Sequence, residues 1–233
     1  MAGSSIRKKV TGCIILLLLL TISAFRCDPE QDPEFVFMIF TLPISVSPAT
    51  SEISIGDTLW ITSDFPDTIR EYNSGEYYKL ENFNFNFSLG LFQLVDNQKS
   101  ISEQPGATSS FNFSQEVGSI TFFGETFSDY NFVYSQEKYL SRIGIIPQSI
   151  GVFCVNFLGP SQLDLESVID LGKTQDGRQR IPAYRNMYFT INEGLNNNFD
   201  LFQENCRAIS LELPIPDNIY YEQKSTFTFR VVE

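Results

Sequence analysis

The strongest constraint on the fold is an alternating stretch at residues 82–91. Its apolar positions are Phe83, Phe85, Phe87, Leu89 and Leu91, and Asn, Ser or Gly stands at each position between them. Because successive side chains of a β-strand point to opposite faces, this pattern predicts a strand with one face in a core and the other in solvent. Phe92 and Leu94 continue on the opposite parity, which indicates a bulge or a switch between sheets.

Apolar runs with β character recur along the rest of the chain. The sequence contains 22 Phe in 233 residues, and aromatic and β-branched residues favour pleated sheets. Turn residues such as Gly, Pro, Asn and Asp separate the runs, so the pattern predicts about ten strands. The predicted strands are 35–42, 51–65 (around a turn at Gly56 and Asp57), 82–91, 109–113, 119–123, 130–134, 151–157, 187–191, 208–213 and 226–232.

Helical signals are few. Phe199, Phe202 and Cys206 follow three asparagines at helical spacing, so this segment forms either a short helix or a turn. A second short helix is predicted around residues 165–169.

Two segments resemble the early and late strands of immunoglobulin-like bacterial modules. Residues 47–65 combine an apolar strand, a Gly-Asp turn and a strand with Trp60, and residues 145–157 combine Pro147 with another apolar strand. The resemblance implies a mainly β fold, an immunoglobulin-like antiparallel β-sandwich with one or two short helices. Residues 35–233 would form it, either as one domain or as two subdomains meeting near residues 135–145.

The start of the chain has the form of an export signal. Basic residues 7–9 precede an apolar run from Cys13 to Phe25, which is shorter than the roughly 20 residues that span a bilayer. Cys27 follows this run, and the segment resembles a bacterial lipoprotein signal. The resemblance implies a signal peptide at residues 1–26, a lipid on Cys27 and an acidic, lipid-anchored tether at residues 27–34.

The acidic tether resembles tags that direct lipoproteins to the outer face of the outer membrane. We therefore expect a bacterial cell-surface lipoprotein, attached to the membrane through its N-terminal lipid. Two alternatives stay open: cleavage after Ser23 would give a soluble secreted protein, and an uncleaved segment would act as an anchor.

The charge of the exported protein excludes several partners. The chain has 16 basic and 28 acidic residues, and the four basic residues of the signal peptide leave 12 against 28, a net charge of −16. Nucleic acids and anionic lipid headgroups attract Lys and Arg clusters. We therefore expect no nucleic-acid partner.

The cysteines predict one disulfide. If Cys13 is removed with the signal and Cys27 carries the lipid, Cys154 and Cys206 remain, in a compartment where disulfides persist. The alternative is a pair of buried thiols that pack as small apolar groups.

The sequence offers no recognisable catalytic chemistry. It contains no histidine, which closes Ser-His-Asp and Cys-His mechanisms and histidine metal sites. A carboxylate pair could come from Asp164, Glu166 and Asp170, which match no motif. The acidic residues Asp64, Asp67 and Asp176 lack the spacing of a calcium loop. We predict no catalytic residue, no metal site and no cofactor.

The function predicted from the sequence is that of a non-catalytic surface protein that binds a partner or contributes to the envelope. The alternative is a glycan-binding accessory protein of an uptake system, because flat aromatic faces stack on sugar rings. The candidate glycan contacts are Trp60, Tyr72, Tyr77 and Tyr78, which could equally be core or cross-strand residues. The basic loop at residues 172–182 is either a functional loop or a long connection.

Overall fold

The computed structural model of the protein describes residues 32–85, 87–160, 162–207 and 223–233. Three sequence predictions lie outside these residues. They are the signal peptide, Cys27 with most of its tether, and the strand at 208–213.

The described chain forms fourteen strands and one α-helix. The elements are β1 (Glu34–Ser47), β2 (Glu52–Ser54), β3 (Leu59–Pro66), β4 (Thr68–Arg70), β5 (Tyr77–Lys79), β6 (Phe87–Gln93), β7 (Phe111–Val117), β8 (Ser119–Phe123), β9 (Phe127–Asn131), β10 (Val133–Ser135), β11 (Lys138–Pro147), β12 (Gly151–Leu158), β13 (Arg180–Ile191), α1 (Phe199–Asn205) and β14 (Thr226–Val232). The predicted strands at 119–123 and 226–232 are confirmed to the residue.

The strands form two six-stranded sheets and one small hairpin, β4–β5. In the first sheet the order is β10-β11-β3-β1-β13, with β7 also paired to β11. In the second sheet the order is β2-β14-β12-β6-β9-β8. The neighbours with a described register are antiparallel except β2 and β14, which run parallel. The predicted mainly β sandwich is confirmed.

Aromatic side chains fill the space between the two sheets. Phe189 of β13 lies 5.0 Å from Phe87 of β6, measured between ring centroids. Phe111 of β7 lies 4.9 Å from Phe153 of β12 in the same way. Each pair joins strands of different sheets, so the sheets face each other across these rings. Burying one such side chain stabilises the fold by roughly 1.5–3 kcal/mol.

The predicted strand at 82–91 is wrong in its first half. Strand β6 begins only at Phe87, although Phe85, Leu89 and Leu91 are buried on the expected parity. Asn82 adopts a left-handed backbone conformation (φ 47°), which β-strand geometry does not allow. Residues 82–85 therefore form a loop.

The segment at 51–65 does not form a strand pair. Strand β2 pairs with β14 in the second sheet, whereas β3 pairs with β1 and β11 in the first. Gly56, with φ 85°, lies in the turn that carries the chain from one sheet to the other. The alternation in the sequence predicts which face of each strand is buried, but it does not predict which strand pairs with it.

Helix α1 confirms one of the two helix predictions. It begins after Asn198, and its Phe202 is fully buried with Phe92, Leu94 and Cys154 in one apolar cluster. The second prediction is wrong, because residues 165–169 form only a hydrogen-bonded turn. Among the described residues, no helix is long and apolar enough to cross a membrane.

Contacts divide the chain into two units. Residues 36–170 and 182–233 belong to the larger unit, so residues 135–145 lie inside it. The described part of the smaller unit consists of residues 32–35 and 171–181.

Candidate functional site

Trp60 lies on β3, where it pairs with Ser47 of β1 and Gly144 of β11. The guanidinium carbon of Arg142 lies 3.9 Å from the centroid of its ring, and the same guanidinium donates to Glu116 at 2.6 Å. A cation–π contact therefore occupies one face of the indole.

The three candidate tyrosines lie on or beside the β4–β5 hairpin. Tyr72 lies 5.6 Å from Tyr188 between ring centroids, Tyr78 donates to Glu76, and Tyr77 is 66% exposed.

The structure does not bring Trp60 together with these tyrosines. A β-bridge from Glu71 to Phe40 places the β4–β5 hairpin beside one part of β1. Trp60 instead pairs with Ser47, at the other end of β1. Seven residues of strand correspond to about 23 Å, which is too far for one sugar ring to contact both. A glycan contact at any of the four residues stays a prediction.

Cys154 and Cys206 lie in one buried cluster. The Cys206 sulfur lies 3.4 Å from the carbonyl oxygen of Lys99, and the Cys154 sulfur lies 3.6 Å from that of Val155. The structure contains no disulfide among the residues it describes. The bridge between them stays a prediction.

The basic loop is a small hairpin whose arginines are paired. Arg178 and Arg180 lie 3.7 and 3.8 Å from Glu34, and Arg178 also contacts Asp176 at 2.9 Å. Hydrogen bonds from the Thr174 hydroxyl and from Arg178 lower the pKa of Asp176. Both arginines of this loop therefore have carboxylate partners, Glu34 of β1 and, for Arg178, also Asp176.

A pocket of about 250 Å³ lies in the larger unit at the ends of β9, β10 and β11. Sequence reasoning did not identify it. Six aromatic residues and three asparagines line it: Asn82, Phe83, Asn84, Phe85, Tyr130, Asn131, Phe132, Tyr134 and Tyr139.

Tyr139 holds the loop before β6 against the pocket. Its hydroxyl accepts the main-chain N–H of Phe83 at 2.5 Å and donates to the carbonyl oxygen of Leu80 at 2.5 Å. These two bonds hold the loop beside Tyr139, where residues 82–85 line the pocket.

Packed rings make up the pocket walls. Phe85 lies 4.8 Å from Tyr139 and 6.1 Å from Phe132, both edge to face, and Tyr134 lies 5.0 Å from Tyr139. Edge-to-face pairs add roughly 0.5–1.5 kcal/mol each beyond burial. The walls are therefore preorganised by contacts with one another.

The tyrosine hydroxyls of the pocket donate within the protein. Tyr130 donates to Ser141 and Tyr134 to Asp67, both at 2.8 Å, while Tyr139 donates to Leu80. Burial raises the pKa of Tyr134 and of Tyr139 to about 12, with hydrogen bonding to Asp67 adding to the shift of Tyr134. These groups stay protonated at neutral pH, and the side chains of Tyr130 and Tyr139 are buried.

The polar groups at the pocket rim are amides. The side chains of Asn82, Asn84 and Asn131 are exposed. Within the described part of the chain, the Asn82 and Asn131 amides have no hydrogen-bond partner. Each amide offers two donor hydrogens and one acceptor oxygen, so a ligand in the pocket would meet both kinds of group.

Acidic residues surround one side of the pocket. Asp67, which accepts the Tyr134 hydroxyl, is only 3% exposed. The Lys79 ammonium lies 3.8 Å from Asp67, 3.2 Å from Glu81 and 3.4 Å from Glu137. Three carboxylates share one ammonium, so this acidic group carries a formal net charge of −2.

The comparisons with known proteins assign no family. No protein-family model and no curated protein sequence matches the chain. The chain is weakly similar to two cohesin structures. One is the type II cohesin dyad from the adaptor ScaA scaffoldin of Acetivibrio cellulolyticus, at 10% identity and a TM-score of 0.24, over 64% of this chain and 46% of that one.

The other solved structure is a type II cohesin domain from the cellulosome of Acetivibrio cellulolyticus. It matches at 11% identity and a TM-score of 0.24, over 63% of this chain and 91% of that one. The alignment spans less than half of the dyad's chain. Likeness at this level carries no argument about function.

One sequence signal could have located the pocket. Asparagine is depleted in strands, yet Asn82, Asn84 and Asn86 alternate with phenylalanine. The alternation predicts that they form the solvent-exposed face of a strand. A tendency of asparagine to adopt left-handed backbone conformations would instead favour a loop.

Proposed function

We propose that the protein is a non-catalytic binding protein displayed on the outside of a bacterial cell, attached through a lipid on Cys27, with the aromatic pocket as its ligand site. The observation that carries the proposal is the pair of amides, on Asn82 and Asn131, that have no hydrogen-bond partner among the described residues and lie at the rim of a cavity lined by aromatic residues. Concave sites lined by aromatic side chains, with a few convergent polar groups, are typical of small-ligand binding.

The chemistry of the lining favours binding over catalysis. None of the nine lining residues is a carboxylate, thiol or amine. The tyrosines, with pKa values of about 12 for Tyr134 and Tyr139, are poor proton acceptors near neutral pH. Asp67 is the nearest buried carboxylate, and it accepts from Tyr134 and Thr68.

Lysates of cells that express the full chain test the proposed location and lipid attachment of the protein. We expect intact mass analysis of the membrane-extracted protein to show a chain that begins at Cys27 and carries a lipid, and the Cys27→Ser variant to lack it. An unmodified chain that begins at Ala24 would contradict the anchor and favour secretion. The same spectra before and after reduction test the bridge between Cys154 and Cys206.

Ligand screening of the full chain in detergent tests the pocket. We expect compounds that raise the melting temperature of the wild-type protein to lose this effect in a double variant, Asn82→Gly with Asn131→Ala. Glycine keeps the left-handed conformation at position 82 without strain. The matched control is Asn112→Ala, because Asn112 is an exposed asparagine of β7 outside the pocket. Compounds that act equally on all three proteins would place the site elsewhere.

A further inference from the structure

We infer that the pocket takes one uncharged, hydroxyl-bearing ring, such as a neutral pyranose unit of a glycan; this inference rests on the proposed function. It differs from the glycan contacts expected from the sequence, which lie on β3 and on the β4–β5 hairpin.

The size of the pocket limits the ligand to one ring-sized group. Its volume is about 250 Å³, below the roughly 300–1,000 Å³ of sites for drug-sized ligands. A longer glycan would enter with one residue and leave the remainder in solvent.

The pocket lining matches the two kinds of surface that a pyranose presents. Its C–H faces are apolar and would pack against the rings of Phe83, Phe132 and Tyr134, whereas its hydroxyls both donate and accept hydrogen bonds. An amide side chain does the same, so Asn82 and Asn131 can each pair with a hydroxyl as donor and as acceptor. The tyrosine hydroxyls are engaged within the protein, which leaves the amides as the polar contacts.

The negative charge beside the pocket disfavours anionic ligands. The formal net charge of −2 on Lys79, Asp67, Glu81 and Glu137 lies next to Tyr134 and to the loop with Asn82. A carboxylate or phosphate on the ligand would meet repulsion there. No lining residue is an arginine or lysine that could compensate it.

The negative charge alone would allow a cationic ligand in the pocket, since aromatic rings and carboxylates both attract ammonium groups. The amide rim argues for a hydroxyl-bearing ligand instead. An ammonium group has no acceptor, so the donor hydrogens of both exposed amides would gain nothing from it.

Saturation-transfer and titration NMR on the full chain in detergent test the inference. The neutral probes are glucose, galactose, mannose, fucose and N-acetylglucosamine; glucuronate is the anionic counterpart of glucose, and choline is the cation. We expect at least one neutral sugar to bind at millimolar concentration or tighter, at least ten-fold tighter than glucuronate and choline. The Asn82→Gly, Asn131→Ala double variant should weaken that sugar at least ten-fold, and Asn112→Ala should leave it unchanged.

The outcomes of this experiment test the class of ligand and the location of the binding site separately. Silence of all five neutral sugars, or equal binding of glucuronate or choline, would overturn the inference. If other screening hits are still lost in the double variant, the proposed binding pocket stands without a sugar. A neutral sugar that binds the double variant as tightly as wild type would overturn the pocket itself.

Discussion

Glu71 is a carboxylate held inside the protein by hydrogen bonds. Its side chain accepts the main-chain N–H of Ile39 at 3.0 Å and both the N–H and the hydroxyl of Ser74 at 2.6 and 2.8 Å. Burial alone would raise the pKa of Glu71, but main-chain hydrogen bonds from Ser74, Ile39 and Asn73 outweigh it, so the pKa lies below the usual 4.5. The charged carboxylate therefore stabilises the fold above this pH, and the contribution is lost as pH falls through the lowered pKa.

Replacing this carboxylate should cost stability in a pH-dependent way. We expect Glu71→Gln to lower the free energy of unfolding by about 1–3 kcal/mol at neutral pH, because the amide nitrogen cannot accept these bonds. The deficit should shrink in acid, where the wild-type carboxylate also loses its charge. Urea unfolding across pH measures this, with the exposed Glu76→Gln as control. A deficit that does not change with pH would contradict the assignment.

Gly118 lies in the turn after β7 and packs against Asn131 at the pocket rim. Its backbone has φ 80°, and a Cβ atom there would lie 2.5 Å from the carbonyl oxygen of Asn131. Any side chain would push against the strand that carries this asparagine.

We expect Gly118→Ala to destabilise the fold by more than the roughly 1 kcal/mol of a left-handed alanine alone. Gly124→Ala is the matched control, because Gly124 has φ 67° with no atom within 4 Å of the added carbon. Thermal unfolding compares the two variants. Equal losses would show that the contact with Asn131 adds nothing.

At the scale of elements, the β10–β11 hairpin positions two tyrosines of the pocket. Its two loop residues, Gln136 and Glu137, have φ of 52° and 59°. Such a loop is the type I′ turn, for which Asn-Gly is strongly preferred. The natural residues are therefore suboptimal here.

Substituting Gln136→Asn together with Glu137→Gly should stabilise the protein by about 1 kcal/mol. The contact of Glu137 with Lys79 is exposed, and such pairs contribute little. Denaturant unfolding should show a higher midpoint with an unchanged slope. A lower midpoint would mean that the turn does not limit stability.

The sequence predicted elements well where local pattern decides and poorly where a distant partner decides. Strands β8 and β14 agree with prediction because alternation and flanking turns define them. Residues 82–85 also alternate, but the main-chain N–H of Phe83 donates to the hydroxyl of Tyr139, more than 50 residues away. The pocket was missed for the same reason, since its lining comes from chain segments that only the fold brings together.

At the scale of the whole molecule, the sandwich depends on aromatic rings that join its sheets. Phe189 contacts both Phe87 and Phe157 of the opposite sheet, at 5.0 and 5.7 Å between centroids. It is 1% exposed. Its removal would leave a cavity between the sheets.

We expect Phe189→Ala to lower the free energy of unfolding by about 3–5 kcal/mol. Phe123→Ala is the control, because that ring is 59% exposed at the end of β8, and it should change stability far less. Chemical denaturation measures both. Similar losses would contradict the position of the core between the sheets.

The composition of the pocket lining has a consequence for the conditions in which the protein works. Its residues are asparagine, phenylalanine and tyrosine, and the sequence has no histidine, the side chain that ordinarily changes charge at roughly pH 5–8. In the proposed location outside the cell, the protein would meet whatever acidity its surroundings have. A lining without groups that titrate in that range would keep the same affinity in mildly acidic and mildly alkaline surroundings alike.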